Sequence, residues 1–128
     1  MKRTFLILAA GFGFLAVGLG AFGTHALEAH FAANPSREPT YETAVQYQMF
    51  HVVGLILVAW LAAHRSSWQA EAAGWLFAAG IVLFCGSLYV LAVFQISAMG
   101  AVAPLGGVAF LSGWVLTGIS AAQSSDSS

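Results

Sequence analysis

A chain of 128 residues is long enough for one domain, and this one is 59% hydrophobic and 7% charged, where soluble domains carry roughly a quarter charged residues. Its mean hydropathy of +0.83 therefore places it among membrane proteins, because too little polar surface exists to face water. Four Lys or Arg against five Asp or Glu exclude a basic patch for phosphates and with it nucleic-acid binding, and the single Cys85 excludes an intrachain disulfide.

From Thr4 to Thr24 no residue is charged, and at about 1.5 Å per residue this stretch crosses a hydrocarbon core of roughly 30 Å. Lys2 and Arg3 ahead of it give it the outline of a secretory signal, but the run is longer than a signal core and is expected to be retained. "TAVQYQMFHVVGLILVAWLAA", residues 43 to 63, forms a second span. After Glu71 the next charge is Asp126, and a single helix of that length would be about 80 Å long, so the chain must fold back once. "QISAMGAVAP" is the expected turn, with Pro104 suited to the first turn of the following helix. The spacing thus predicts an all-α, four-transmembrane-helix bundle of one domain, with spans near 4–24, 43–63, 72–94 and 102–122. The final "QSSDSS" is expected to be a disordered tail.

Four spans put both termini on one side of the membrane. Lys2, Arg3 and Arg65 then oppose Arg37 alone, so both termini are expected in the cytoplasm of a multi-pass inner-membrane protein. Residues 32–40, "FAANPSREPTYE" in their wider setting, are read as a turn-rich outer loop, with Glu38 and Glu42 favoured near the start of the second span by the helix dipole. Trp60, Trp68 and Trp75 are read as interfacial anchors at the opposite side.

Helices in lipid approach one another through small residues. Ala9, Gly13, Ala16, Gly20 and Gly23 line one face of the first span. Ala72, Ala79 and Gly86 repeat this in the third, and Gly106 and Gly113, with Gly107 beside them, in the fourth. Bundle packing is the simpler use of these faces and homo-oligomerisation the other.

Polar groups inside a span are costly enough to suggest function. Counting 1.5 Å per residue, Gln48 lies about 7 Å and His51 about 12 Å below the outer surface, while Cys85, Ser87 and Tyr89 lie about 5 to 10 Å below it. Tyr47 and Gln48 are four and three residues from His51 and share its helix face. His25 and Glu28, three apart, can pair at the outer end of the first span, whereas His30 points elsewhere. For His51 a hydrogen-bonded register residue stands against a ligand-binding or proton-exchanging histidine and, last, a metal or haem ligand. His25, Glu28 and His30 cannot all face one ion on a helix, so no metal site is expected. No G-x-S-x-G, P-loop or CxxC motif occurs, so no catalytic residue and no cofactor is assigned.

"GAFGTHAL", "YQMFH", "FCGSLY" and "PLGGVAFLSGW" resemble four successive signatures of the YgdD-like family of small four-helix membrane proteins of unknown function, one per span. The resemblance implies a four-span inner-membrane protein and no activity. It groups Gly20, Gly23 and His25, then Tyr47, Gln48, Phe50 and His51, then Ser87, Leu88 and Tyr89, then Pro104, Gly106, Gly107 and Trp114. Cys85 departs from it, since a small residue such as serine is more usual there. The resulting expectation is a non-enzymatic protein whose outer half holds a polar pocket of His25, Tyr47, Gln48, His51, Ser87 and Tyr89, with Glu28 at its rim. That pocket would take a lipid headgroup, a quinone-like molecule or a partner subunit. A structural or assembly subunit of a larger membrane complex is the alternative, followed by an oligomeric transporter or channel and, last, an enzyme of lipid metabolism.

Overall fold

Helix α1 (Lys2–His25) opens a computed structural model that describes residues 2–65 and 67–125. A two-residue turn leads to the short α2 (Glu28–Ala33), a 3-10 turn over Pro35–Arg37 and the long α3 (Glu38–His64). After a bend come α4 (Trp68–Gly80), a π-helical turn over Ile81–Cys85 and α5 (Gly86–Phe94), which run on as one rod. The chain then reverses into α6 (Met99–Ser125). Four segments are long and apolar enough to cross a membrane, Arg3–His25, Pro35–His64, Trp68–Phe94 and Met99–Gln123, and no strand occurs among the described residues. Residues 126–128, which end the expected tail, lie outside the described residues.

The second span starts earlier than its apolar run. Pro39 sits in the first turn of α3, where its missing N–H costs no helical bond, and Glu38 faces the positive end of the helix dipole. Much of the expected loop is therefore helical, and α2 buries Phe31 beneath it. The last helix also starts earlier than expected, at Met99, through three i→i+3 bonds such as Met99 N–H to the Ile96 carbonyl at 3.0 Å. Pro104 consequently lies inside α6 and not in its first turn. It has no N–H to close the i→i−4 bond to the Gly100 carbonyl.

Helix α3 is central, touching α1 on one side and α4, α5 and α6 on the other. Its core contacts include Leu55 and Val58, packed with Phe5, Phe77, Cys85 and Phe110. Small residues permit this. A Cβ on Gly54 would meet the Phe77 ring at 2.9 Å, and one on Gly113 would meet it from the other side at 2.7 Å. Gly74 makes room for Phe5, Gly80 for Phe110 and Gly23 for Tyr41. Gly106 lies against the Phe84 backbone, with a hypothetical Cβ 2.6 Å from Phe84 Cβ. By contrast, Gly13 and Gly20 would make ordinary 3.5 Å contacts, Gly107 would barely touch Phe84, and Gly86 has open space. The third-span face read through Ala72, Ala79 and Gly86 is thus corrected: Ala79 is exposed, and the buried stripe is Ala70, Ala73, Gly74, Phe77 and Gly80. The π turn, one extra residue wide, rotates the faces that follow it, and just beyond it Ser87 Oγ of α5 donates back to the Phe84 carbonyl at 3.0 Å.

Each end is tied across the chain. At the Arg65 end, an Arg65 guanidinium N–H donates to the Gln123 carbonyl at 2.6 Å, and the hydroxyl of Ser67, the α4 N-cap, meets that of Ser120 at 3.1 Å. At the α2 end, His30 Nε2 donates to the Ala92 carbonyl at 2.8 Å and Arg37 Nε donates to Gln95 Oε1 at 3.1 Å. Gln95, with φ 61°, closes α5 in the left-handed conformation.

Candidate functional site

The intramembrane polar residues close on one another. Gln48 is 2% exposed. Its Nε2 donates to the Phe12 carbonyl of α1 at 2.8 Å, and its Oε1 accepts from the Tyr89 hydroxyl of α5 at 2.7 Å. One amide thereby pins three helices.

His51 forms a second closed unit. Its Nδ1 lies 2.6 Å from the Tyr47 carbonyl and its Nε2 lies 3.0 Å from Trp114 Nε1. A carbonyl can only accept and an indole N–H can only donate, so the imidazole is neutral with its proton on Nδ1. The ring also stacks on Phe110, with centroids 3.5 Å apart and planes inclined by 10°. Neither nitrogen has capacity left for a ligand.

The expected pocket is accordingly divided. Gln48 and Tyr89 are joined, Ser87 bonds within its own helix, and His51 belongs to the Trp114 unit. Tyr47 stands at the surface beside Phe84, 4.8 Å between ring centroids. His25 and Glu28 are exposed at the turn between α1 and α2, with no hydrogen bond or ion pair between them among the described residues. Sequence reasoning set His30 aside, yet it is His30 that fastens α2 to the bundle. Trp114 was named through the family resemblance but not as the partner of His51, which its spacing of 63 residues hides. Among the described residues no three of His, Cys, Asp and Glu converge as a metal site would require.

Open space lies elsewhere. A cleft of about 390 Å3 runs between α1, α2 and α3. Gly20 and Gly23 form its α1 wall, with the Tyr41 ring packed against Gly23, and Phe31 and Tyr41 form its inner wall, their ring centroids 5.4 Å apart. Tyr41 is held in place by its hydroxyl, which donates to the Leu19 carbonyl. Glu38, Glu42 and Gln46 line the α3 side. Gln46 also belongs to an adjoining shallow groove formed with Met49, Phe50 and Val53. The side chains of Glu38, Glu42 and Gln46 have no hydrogen bond or ion pair among the described residues, and all three are exposed.

Four apolar helices, polar groups hydrogen-bonded within the bundle and an amphipathic cleft among the described residues define a small integral membrane protein. A family model described as "Protein of unknown function (DUF423)" matches residues 19–107. The UPF0382 membrane protein YwdK of Bacillus subtilis (strain 168) is 48% identical over 122 residues, 94% of this chain and 98% of that protein. The UPF0382 membrane protein SH2409 of Staphylococcus haemolyticus (strain JCSC1435) is 42% identical over 118 residues, 92% of this chain and 94% of that protein. No solved structure matches the chain. The chain belongs to the DUF423 family, whose relatives carry the name UPF0382 membrane protein and whose function is unknown.

Proposed function

We propose that this protein holds a membrane lipid along α3 and performs no chemistry on it. The observation that carries this reading is the order of polarity down one stripe of the helix. Glu38, Glu42 and Gln46 follow at four-residue intervals, and Met49, Phe50 and Val53 continue the same face. At about 1.5 Å per residue this places two charges at the end of the span, an amide about 6 Å further in, and about 10 Å of apolar wall beyond it. A lipid has the same sequence of parts: charged head, polar ester region and hydrocarbon chain. The units around Gln48 and His51 are read as ties of the bundle, because their hydrogen bonds run to groups of the bundle itself.

The basic residues Arg3 and Arg65 lie at the opposite end from α2, so the positive-inside rule favours both termini in the cytoplasm and the cleft in the outer leaflet. The bacterial relatives support placement in the plasma (inner) membrane, and we read the YgdD-like signatures as marks of the same group. Native mass spectrometry tests the reading. Protein released from membranes is expected to retain lipid, and Gln46→Trp, which fills the junction of cleft and groove without entering the core, is expected to lose it. Bare wild-type protein, or retention unchanged in Gln46→Trp, would sink the idea.

A further inference from the structure

We infer that the head of the bound lipid ends in an ammonium group, an inference that rests on the lipid-holding reading above. Two carboxylates, Glu38 and Glu42, line the cleft one helical turn apart, and neither meets a cation within the described residues. Arg37, the nearest basic residue in sequence, is turned onto Gln95. The positive end of the α3 dipole amounts to about half a charge and opposes the two full negative charges without cancelling them. The whole α2 side has the same sign: Glu28, Glu38 and Glu42 stand against Arg37 alone between residues 25 and 43.

The inner wall adds a second kind of recognition. Phe31 and Tyr41, each 3% exposed, border the same cleft, and an ammonium within about 6 Å of a ring centroid is attracted by its quadrupole where it meets the ring face. A small divalent ion is a poorer fit, since it asks for six or more oxygens in a cage and the cleft offers two separate carboxylates. An anionic head would meet repulsion from both. An ammonium satisfies both walls together, and the cleft of about 390 Å3 is of the size that holds a small organic group.

The test uses the full-length protein in vesicles with a nitroxide-labelled acyl chain carrying either a phosphoethanolamine or a phosphoglycerol head. Electron paramagnetic resonance reads the fraction of label held immobile by the protein. The phosphoethanolamine label is expected to be preferred about fivefold at low ionic strength, with the preference falling in high salt. Glu38→Gln with Glu42→Gln is expected to bring the ratio close to one, and these exposed, isosteric changes leave the core untouched. Equal immobilisation of both labels by wild type, or a preference that survives the double substitution, overturns the ammonium assignment while leaving the lipid reading standing. Absence of any immobilised label on wild type overturns both.

Discussion

The Gln48 amide is the most exacting place to test the account of the polar cluster, because one side chain ties α1, α3 and α5. Tyr89→Phe removes the 2.7 Å bond to Gln48 Oε1 and leaves that oxygen unpaired. Intramembrane side-chain bonds average about 0.6 kcal/mol and reach about 1.7, so a loss of about 1 kcal/mol is expected. Gln48→Leu removes both bonds and strands the Tyr89 hydroxyl. The Phe12 carbonyl lies mid-helix and keeps its own helical donor, so it contributes little. A loss of about 2 kcal/mol follows. The double substitution removes the stranded groups together and is expected to cost about 2 kcal/mol, less than the sum of about 3, which gives a coupling near 1 kcal/mol. Reversible unfolding in mixed lipid–SDS micelles, followed by circular dichroism, measures all four proteins. Additive single effects would refute the bond as a structural tie. A stable Gln48→Leu protein that has lost bound lipid would instead make Gln48 a ligand group.

Two further predictions concern the same interior. Gly106→Ala places a Cβ against the Phe84 backbone and is expected to destabilise by about 1–3 kcal/mol, whereas Gly86→Ala, in open helical space, is expected to stabilise by about 0.5–1 kcal/mol; the same unfolding assay ranks them, and a reversed order contradicts the packing. Nitrogen-15 solid-state spectra of His51 are expected to report a proton on Nδ1 and a hydrogen-bonded, unprotonated Nε2, with the Nε2 resonance shifting in Trp114→Phe. A proton on Nε2 in wild type would contradict the assignment.

Class and span number were legible along the chain. Charge-free runs of fixed length can only be spans, since backbone polar groups must be satisfied inside the bilayer. Depth counting placed Gln48 level with Tyr89, and the structure joins them at 2.7 Å. The π turn at Ile81–Cys85 was not legible, because it changes the helical period that such counting assumes. It alters the register of the residues that follow it, from Gly86 onward, whereas Ala79 misses the core through the ordinary α-helical phase of α4.

Hydropathy and a rise of about 1.5 Å per residue are properties of single segments, so the chain alone specifies a four-span bundle and the order of polar residues along each span. Whether those polar residues face a ligand or one another depends on the rotation of each helix about its axis, which packing alone sets. Tertiary structure turned Trp114 onto His51 and Tyr89 onto Gln48, closing the expected pocket, and set Gly20 and Gly23 across from Glu38 and Glu42, opening a cleft that no local pattern announces.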